Sequence, residues 1–166
     1  MIVIADATPL RYLILIEAVD ILPALYGRIL IPQRVADELQ RPRTPLPVRQ
    51  WMATAPAWLE IHVPQFAPER ALSRLDAGER DAIVLAQERG ADLIIMDDWD
   101  GREAATQRAF RVLGTLGVLD AAAVEGLLSL PEMLTRLQAT NFRMTPEMVQ
   151  VLLERDASHR RGLRGK

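Results

Sequence analysis

Short apolar runs that end abruptly on an acid or a proline alternate along the chain with longer stretches whose apolar residues recur every three or four positions. Residues 2–5 run straight into Asp6, residues 28–31 into Pro32, and residues 93–96 into Asp97 and Asp98. Such runs have the length of buried strands, whereas the three-to-four spacing marks helices with one covered face. The pattern predicts strands over 2–5, 28–31, 58–63, 93–96 and 111–113. Helices are predicted from Thr8-Pro9 to 16, over 20–25, over 32–40 with Glu38 in it, over 48–55, from about 76 to Gly90, and over 102–110, 118–129, 131–139 and 145–157. Thr8 is read as a cap with Pro9 at the first helical position. The proline-rich stretch 41–47 is read as a surface connection, and 58–63 as an edge strand. Strands alternating with helices argue for a parallel sheet covered by helices on both faces. The expected fold is α/β, a three-layer α/β/α sandwich with a mainly parallel central sheet and extra C-terminal helices.

At 166 residues the chain has the length of one domain. The expected organisation is a main domain over 1–130, a helical extension of it over 131–157, and a basic, flexible tail over 158–166. The 49% hydrophobic and 25% charged fractions are those of an ordinary globular protein. No apolar run approaches the roughly 20 residues needed to span a bilayer, and the first ten residues lack the basic start of a signal peptide. A cytoplasmic protein without membrane attachment is therefore expected.

Composition removes much chemistry. There is no cysteine, which excludes disulfides, thiolate zinc sites and cysteine nucleophiles, and the two histidines, His62 and His159, offer no pair to work with. A net charge of −2 argues against a surface that coats nucleic acid broadly, although a basic rim around an acidic pocket remains compatible with it. All basic residues but Lys166 are arginine. Phosphoacceptor receiver domains and aspartate-nucleophile phosphatases normally need a lysine near the site, and one terminal lysine does not supply it.

Four acids remain in similar local settings. Asp6 and Asp97 each follow a predicted strand, while Glu38 and Glu79 lie on helices. Each has a plain structural role to hand: Asp6 can cap the next helix, and Glu79, three residues after Asp76, fits a capping box. The glutamates nevertheless fall on covered faces. Glu79 precedes Ala82, Ile83 and Ala86 by three, four and seven residues, and Glu38 follows Val35 by three. An inward acid must be paired or must bind a cation. Parallel strands put their carboxyl ends on one edge, where the four can converge, and a hard cation makes such a cluster tolerable. Carboxylate-held metals stabilise the attacking and leaving oxygens of phosphodiester cleavage, with water as nucleophile.

The segments IADATPL, VADEL, LDAGERDAIVLA, LIIMDDWDGREAA and LGTLGVLDAA resemble, in this order and spacing, the PIN-domain ribonucleases. The similarity is greatest to a prokaryotic branch related to VapC-type toxins of toxin–antitoxin pairs, and it covers about residues 1–130. It implies an endoribonuclease dependent on Mg2+ or Mn2+ with Asp6, Glu38, Glu79 and Asp97 as catalytic metal ligands. Asp98 would be a further ligand, and Thr8 and Thr115 would orient a carboxylate or a water. Arg11, Arg34, Arg102 and Trp99 are candidates for RNA contact. The expected partners are an RNA substrate, a small antitoxin protein and a second copy of the chain in a homodimer. The alternative is a catalytically silent PIN-like module that binds RNA or protein.

Overall fold

The computed structural model describes residues 1–164 of the chain. Two compact units are present, Met1–Thr115 and Leu116–Lys166.

The first unit is built on five strands, β1 (Val3–Ala5), β2 (Ile29–Pro32), β3 (Leu59–His62), β4 (Leu93–Ile95) and β5 (Val112–Leu113). Every pairing is parallel, in the order β3-β2-β1-β4-β5. Its helices are α1 (Ala7–Leu15), α2 (Ile21–Tyr26), α3 (Gln33–Leu39), α4 (Leu46–Ala53), α5 (Ala77–Arg89) and α6 (Trp99–Gln107). They flank the sheet, α5 against β1, β2 and β4, α3 against β2 and β3, and α6 against β5. This is the α/β arrangement that the alternation of short apolar runs and periodic segments predicts. Its core contains Ile4, Leu72, Ile83, Leu85, Ile94 and Met96, all fully buried, and β3 takes the edge position expected of it.

The strand order fixes where ligands bind. From β1 the chain winds outward through β2 to β3, then returns to place β4 on the other side of β1. The reversal opens a crevice at the carboxyl ends of β1 and β4, the place where open α/β sheets hold their ligands. These strands run in register, Ala5 opposite Ile95, and the Asp6 N–H donates to the Ile95 carbonyl at 2.9 Å. Asp6 and Asp97 therefore leave adjacent strands at one edge.

Several boundaries differ from the sequence reading, each for a local reason. Helix α1 begins at Ala7 with Asp6 at the N-cap position, so Thr8 is not the cap and Pro9 is the third helical residue. A proline there loses nothing, because the first N–H groups of a helix have no partner within it. Helix α4 begins at Leu46, inside the stretch read as a connection, since Pro47 also falls in the first turn. Helix α6 starts at Trp99, three residues early, because the Asp98 carboxylate accepts from the Asp100 and Gly101 N–H groups.

The second unit holds α7 (Thr115–Val124), whose first residue is the last of the preceding unit, α8 (Leu130–Gln138) and α9 (Pro146–Arg164). Within it Arg155 pairs with Asp120 at 3.0 Å, and Arg160 with the buried Asp156. The basic stretch expected to be a flexible tail from 158 onward continues α9 as helix to Arg164. The i,i+4 pair of Asp156 and Arg160 supports that extension. Lys166 lies outside the described residues. Among the described residues, no helix is long and apolar enough to cross a membrane.

Candidate metal centre at the sheet edge

Asp6 forms the floor of the site. Its residue is 4% exposed, and among the described residues no cation is paired with its carboxylate. Burial pushes its carboxyl well above the usual carboxylate range; the Ala7 N–H opposes this, and the charges of Asp76, Glu79 and Glu38 add to it.

Helix α3 brings Glu38 to the same point, and the start of α5 brings Asp76. A Cβ built on Gly78 would lie 3.2 Å from Glu38 Oε2, 3.4 Å from Asp76 Oδ1 and 3.5 Å from Asp6 Oδ1. Three carboxylates thus face one small space that a side chain at position 78 would fill. Burial and the Asp76 charge raise the Glu38 carboxyl, while Arg41 and Arg11 lower it. Beside these acids lies a cleft of about 150 Å³ lined by Arg34, Asp37, Glu38, Arg41, Asp76 and Gly78.

Glu79 is 7% exposed and belongs to a capping box: its N–H donates to Asp76 Oδ1 at 2.9 Å, and its Oε2 accepts from the Asp76 N–H at 3.3 Å. Burial first, then the charges of Asp76 and Asp98, raise its carboxyl to about 7. Capping and membership of the acid cluster therefore coexist in one residue.

Asp97 occupies a different environment. Oδ1 accepts from the Thr115 N–H at 2.7 Å and Oδ2 from the Thr115 hydroxyl at 2.6 Å. Burial raises its carboxyl, and these two bonds and the Arg102 charge oppose the rise. Gly114 makes the approach feasible, since a Cβ there would stand 2.7 Å from Asp97 Oδ1 and 2.6 Å from Arg102 Nη1. Thr115 is fully buried, and its N–H and hydroxyl both go to Asp97. Thr8 makes no hydrogen bond to any of these acids among the described residues. Asp98 is exposed, with Oδ2 given to the α6 cap.

Three of the predicted acids interact at this edge, and Asp97 stands apart from them. Asp6, Glu38 and Glu79 form a chain of interacting charges through Asp76, while Asp97, on the neighbouring strand end, is held by Thr115. Asp76 and Arg41 belong to this site and were absent from the sequence-based set. The signal for Asp76 was present, as the cap of the helix carrying Glu79, but its direction toward Asp6 depends on the sheet order.

The basic candidates divide similarly. Arg34 pairs with Asp81 at 3.0 Å and lines the cleft. Arg11 stacks over the Tyr12 ring at 5.6 Å, and its buried Nε has no hydrogen-bond partner among the described residues. Arg102 donates to the Met96 carbonyl at 3.3 Å. Trp99 is 75% exposed at the start of α6, whereas Trp51 and Trp58 pack on each other at 5.7 Å.

Hard carboxylate oxygens around a buried acid that has no cation partner among the described residues are ligands of the kind a divalent metal ion takes. Among the described residues no three acidic or histidine side chains are already drawn into a chelating arrangement.

The sequence matches the family DUF3368, described as a PIN domain, over residues 2–158. No curated protein matches it. The fold is similar to that of a PilT N-terminus domain protein, SSO1118, from the hyperthermophilic archaeon Sulfolobus solfataricus P2. The identity is 15% and the TM-score 0.50, over 87% of this chain and all of the other. PIN domains are in general metal-dependent nucleases, and on the evidence of a match running nearly end to end this chain belongs to the PIN-domain family.

Proposed function

We propose that the chain is a divalent-metal-dependent endoribonuclease that hydrolyses RNA phosphodiester bonds with Mg2+ or Mn2+. One observation carries this reading: a buried carboxylate, Asp6, faces Glu38 and Asp76 across a space of atomic size, and among the described residues no cation is paired to it. Such a group is costly unless a cation joins it.

A divalent cation bound there supplies positive charge against the phosphate and makes water a better nucleophile. The protein's own part follows from its side chains. Asp6 and Glu38 are the residues that would hold such a cation. Arg34 and Arg41, on the cleft beside them, present guanidinium donors to phosphate oxygens of the RNA. Glu79, with its carboxyl near 7, takes up or returns a proton at Oε1, the oxygen left free by the capping box. Asp97, fixed by Thr115, shapes the same edge, and Asp98 adds its charge beside Glu79. Exposed Trp99 offers a face for a base.

The resemblance of the ordered acidic segments to VapC-type proteins supports a finer reading, a cytoplasmic toxin neutralised by a small antitoxin. Met148 and Val151, exposed on α9, offer an apolar strip to a second copy in a homodimer. The test is cleavage of structured and unstructured RNA by the full chain with Mg2+, with Mn2+ and with chelator. Cleavage dependent on the cation and lost in a folded Asp6→Asn variant is the expected result. Cleavage that survives the variant overturns the assignment. A chain that neither cleaves nor is stabilised by cation is the silent binding module instead.

A further inference from the structure

We propose that Asp76, the N-cap of α5, is a third metal-binding carboxylate of the Asp6 and Glu38 site as well as a helix cap. The inference rests on the metal-dependent reading above and assigns a residue that the acidic pattern of the sequence did not include.

Position is the first argument. Asp76 Oδ1 and Asp6 Oδ1 lie 3.4 and 3.5 Å from the point a Gly78 Cβ would occupy, with Glu38 Oε2 at 3.2 Å. The three come from the start of α5, the end of β1 and the last turn of α3, so distant segments converge on one point. Asp6 is buried while Asp76 is exposed and lines the cleft, so Asp76 links the floor of the site to its solvent-facing mouth.

Valence is the second. Capping engages one oxygen, Oδ1, which accepts the Glu79 N–H at 2.9 Å. A carboxylate offers about four acceptor sites, and Oδ2 has no hydrogen bond among those described. Asp97, by contrast, has both oxygens engaged by Thr115.

Cost is the third. Asn and Ser cap helices about as well as Asp, so capping alone does not call for a charge. The charge of Asp76 bears unfavourably on Asp6, Glu38 and Glu79 alike. A carboxylate kept where a neutral cap would serve is accounted for if a cation is shared among these acids.

The equivalence of Asp and Asn as caps also provides the test. In the full-length chain, Asp76→Asn preserves the helix start and removes the charge, and Asp76→Ser does the same with a shorter side chain. Mn2+ binding is measured by calorimetric titration, with metal-free melting as the control for folding and Asp6→Asn as reference. The expected result is metal-free melting unchanged or raised and Mn2+ affinity at least threefold weaker in both Asp76 variants, with binding lost in Asp6→Asn. Affinity within threefold of the native chain in a folded Asp76 variant, while Asp6→Asn loses binding, makes Asp76 a cap only and overturns the inference. Absence of Mn2+ binding by the native chain overturns the metal-dependent reading itself, and this inference with it.

Discussion

Replacing Asp6 by Asn should stabilise the metal-free protein, an unusual direction for a change at a buried position. The isosteric amide keeps an oxygen for the Ala7 N–H and removes a charge that sits 4% exposed, without a cation, beside three acids. The folded-state carboxyl is raised, so its stabilising contribution is complete below the unfolded value and is lost as pH climbs through the folded one. Native protein therefore weakens with rising pH more steeply than Asp6→Asn, which keeps the raised Glu79, Glu38 and Asp97 carboxyls, and the two should coincide near pH 4 and separate by pH 8. An unsatisfied buried polar group costs about 1–3 kcal/mol, more when charged. At about 2–4 °C per kcal/mol for a chain of this size, the metal-free variant should melt about 3–10 °C higher at pH 8. Millimolar Mg2+ should then raise the melting temperature of the native chain and leave the variant unmoved, because only a ligand of the folded state shifts that equilibrium. The assay is thermal melting of both proteins at pH 4, 6 and 8, with chelator and with Mg2+. Equal or lower stability of Asp6→Asn at pH 8 without metal would refute the reasoning, since it would mean that the Asp6 charge is already compensated within the protein.

Glu79→Gln keeps a capping-box residue but cannot ionise. The raised carboxyl, about 7, makes the native protein lose stability between about pH 4.5 and 7. Allowing for solvent screening, the variant should recover about 1–2 kcal/mol at pH 8, read from melting against pH. Thr115→Val removes the hydroxyl bond to Asp97 and should destabilise by about 1.5–3 kcal/mol at pH 8 and less at pH 3, where Asp97 is neutral, as denaturant titrations will report. Gly114→Ala forces a Cβ against Asp97 Oδ1 and Arg102, costing about 1–3 kcal/mol in the same titrations. Replacing Arg34 and Arg41 by Gln should weaken RNA binding, shown by a higher KM and a shallower salt dependence with metal affinity retained.

The sequence made the alternation of elements legible because strand and helix periods are local properties. The strand ends at Asp6 and Asp97 and the covered faces carrying Glu38 and Glu79 followed from that alone. Which acids meet was not local. Asp6 and Asp97 look alike in sequence, each an acid after a buried strand, yet one faces Glu38 and Asp76 and the other is bonded twice to Thr115. The difference comes from segments far along the chain, Asp76 seventy residues past Asp6 and Thr115 eighteen past Asp97, and from a strand order that no periodicity encodes. The start of α1 was misplaced for a simpler reason: Thr8-Pro9 is a strong helix-start signal, but Asp6 at the strand end already stands at the N-cap.

The capping box at the start of α5 shows why structural and chemical roles are poor alternatives for acids at such edges. Helix starts tolerate carboxylates because unpaired N–H groups and the positive end of the helix dipole stabilise them. At this sheet edge the same starts stand over the crevice between β1 and β4, so residues placed for capping already point toward a ligand. The reciprocal bonds of Asp76 and Glu79 also fix both side chains without any cation, which reduces the ordering that binding would otherwise require. An alanine at either position would remove cap, order and charge together and distinguish nothing. Asn at position 76 and Gln at position 79 remove only the charge, so any loss of metal affinity in those variants belongs to the carboxylates themselves.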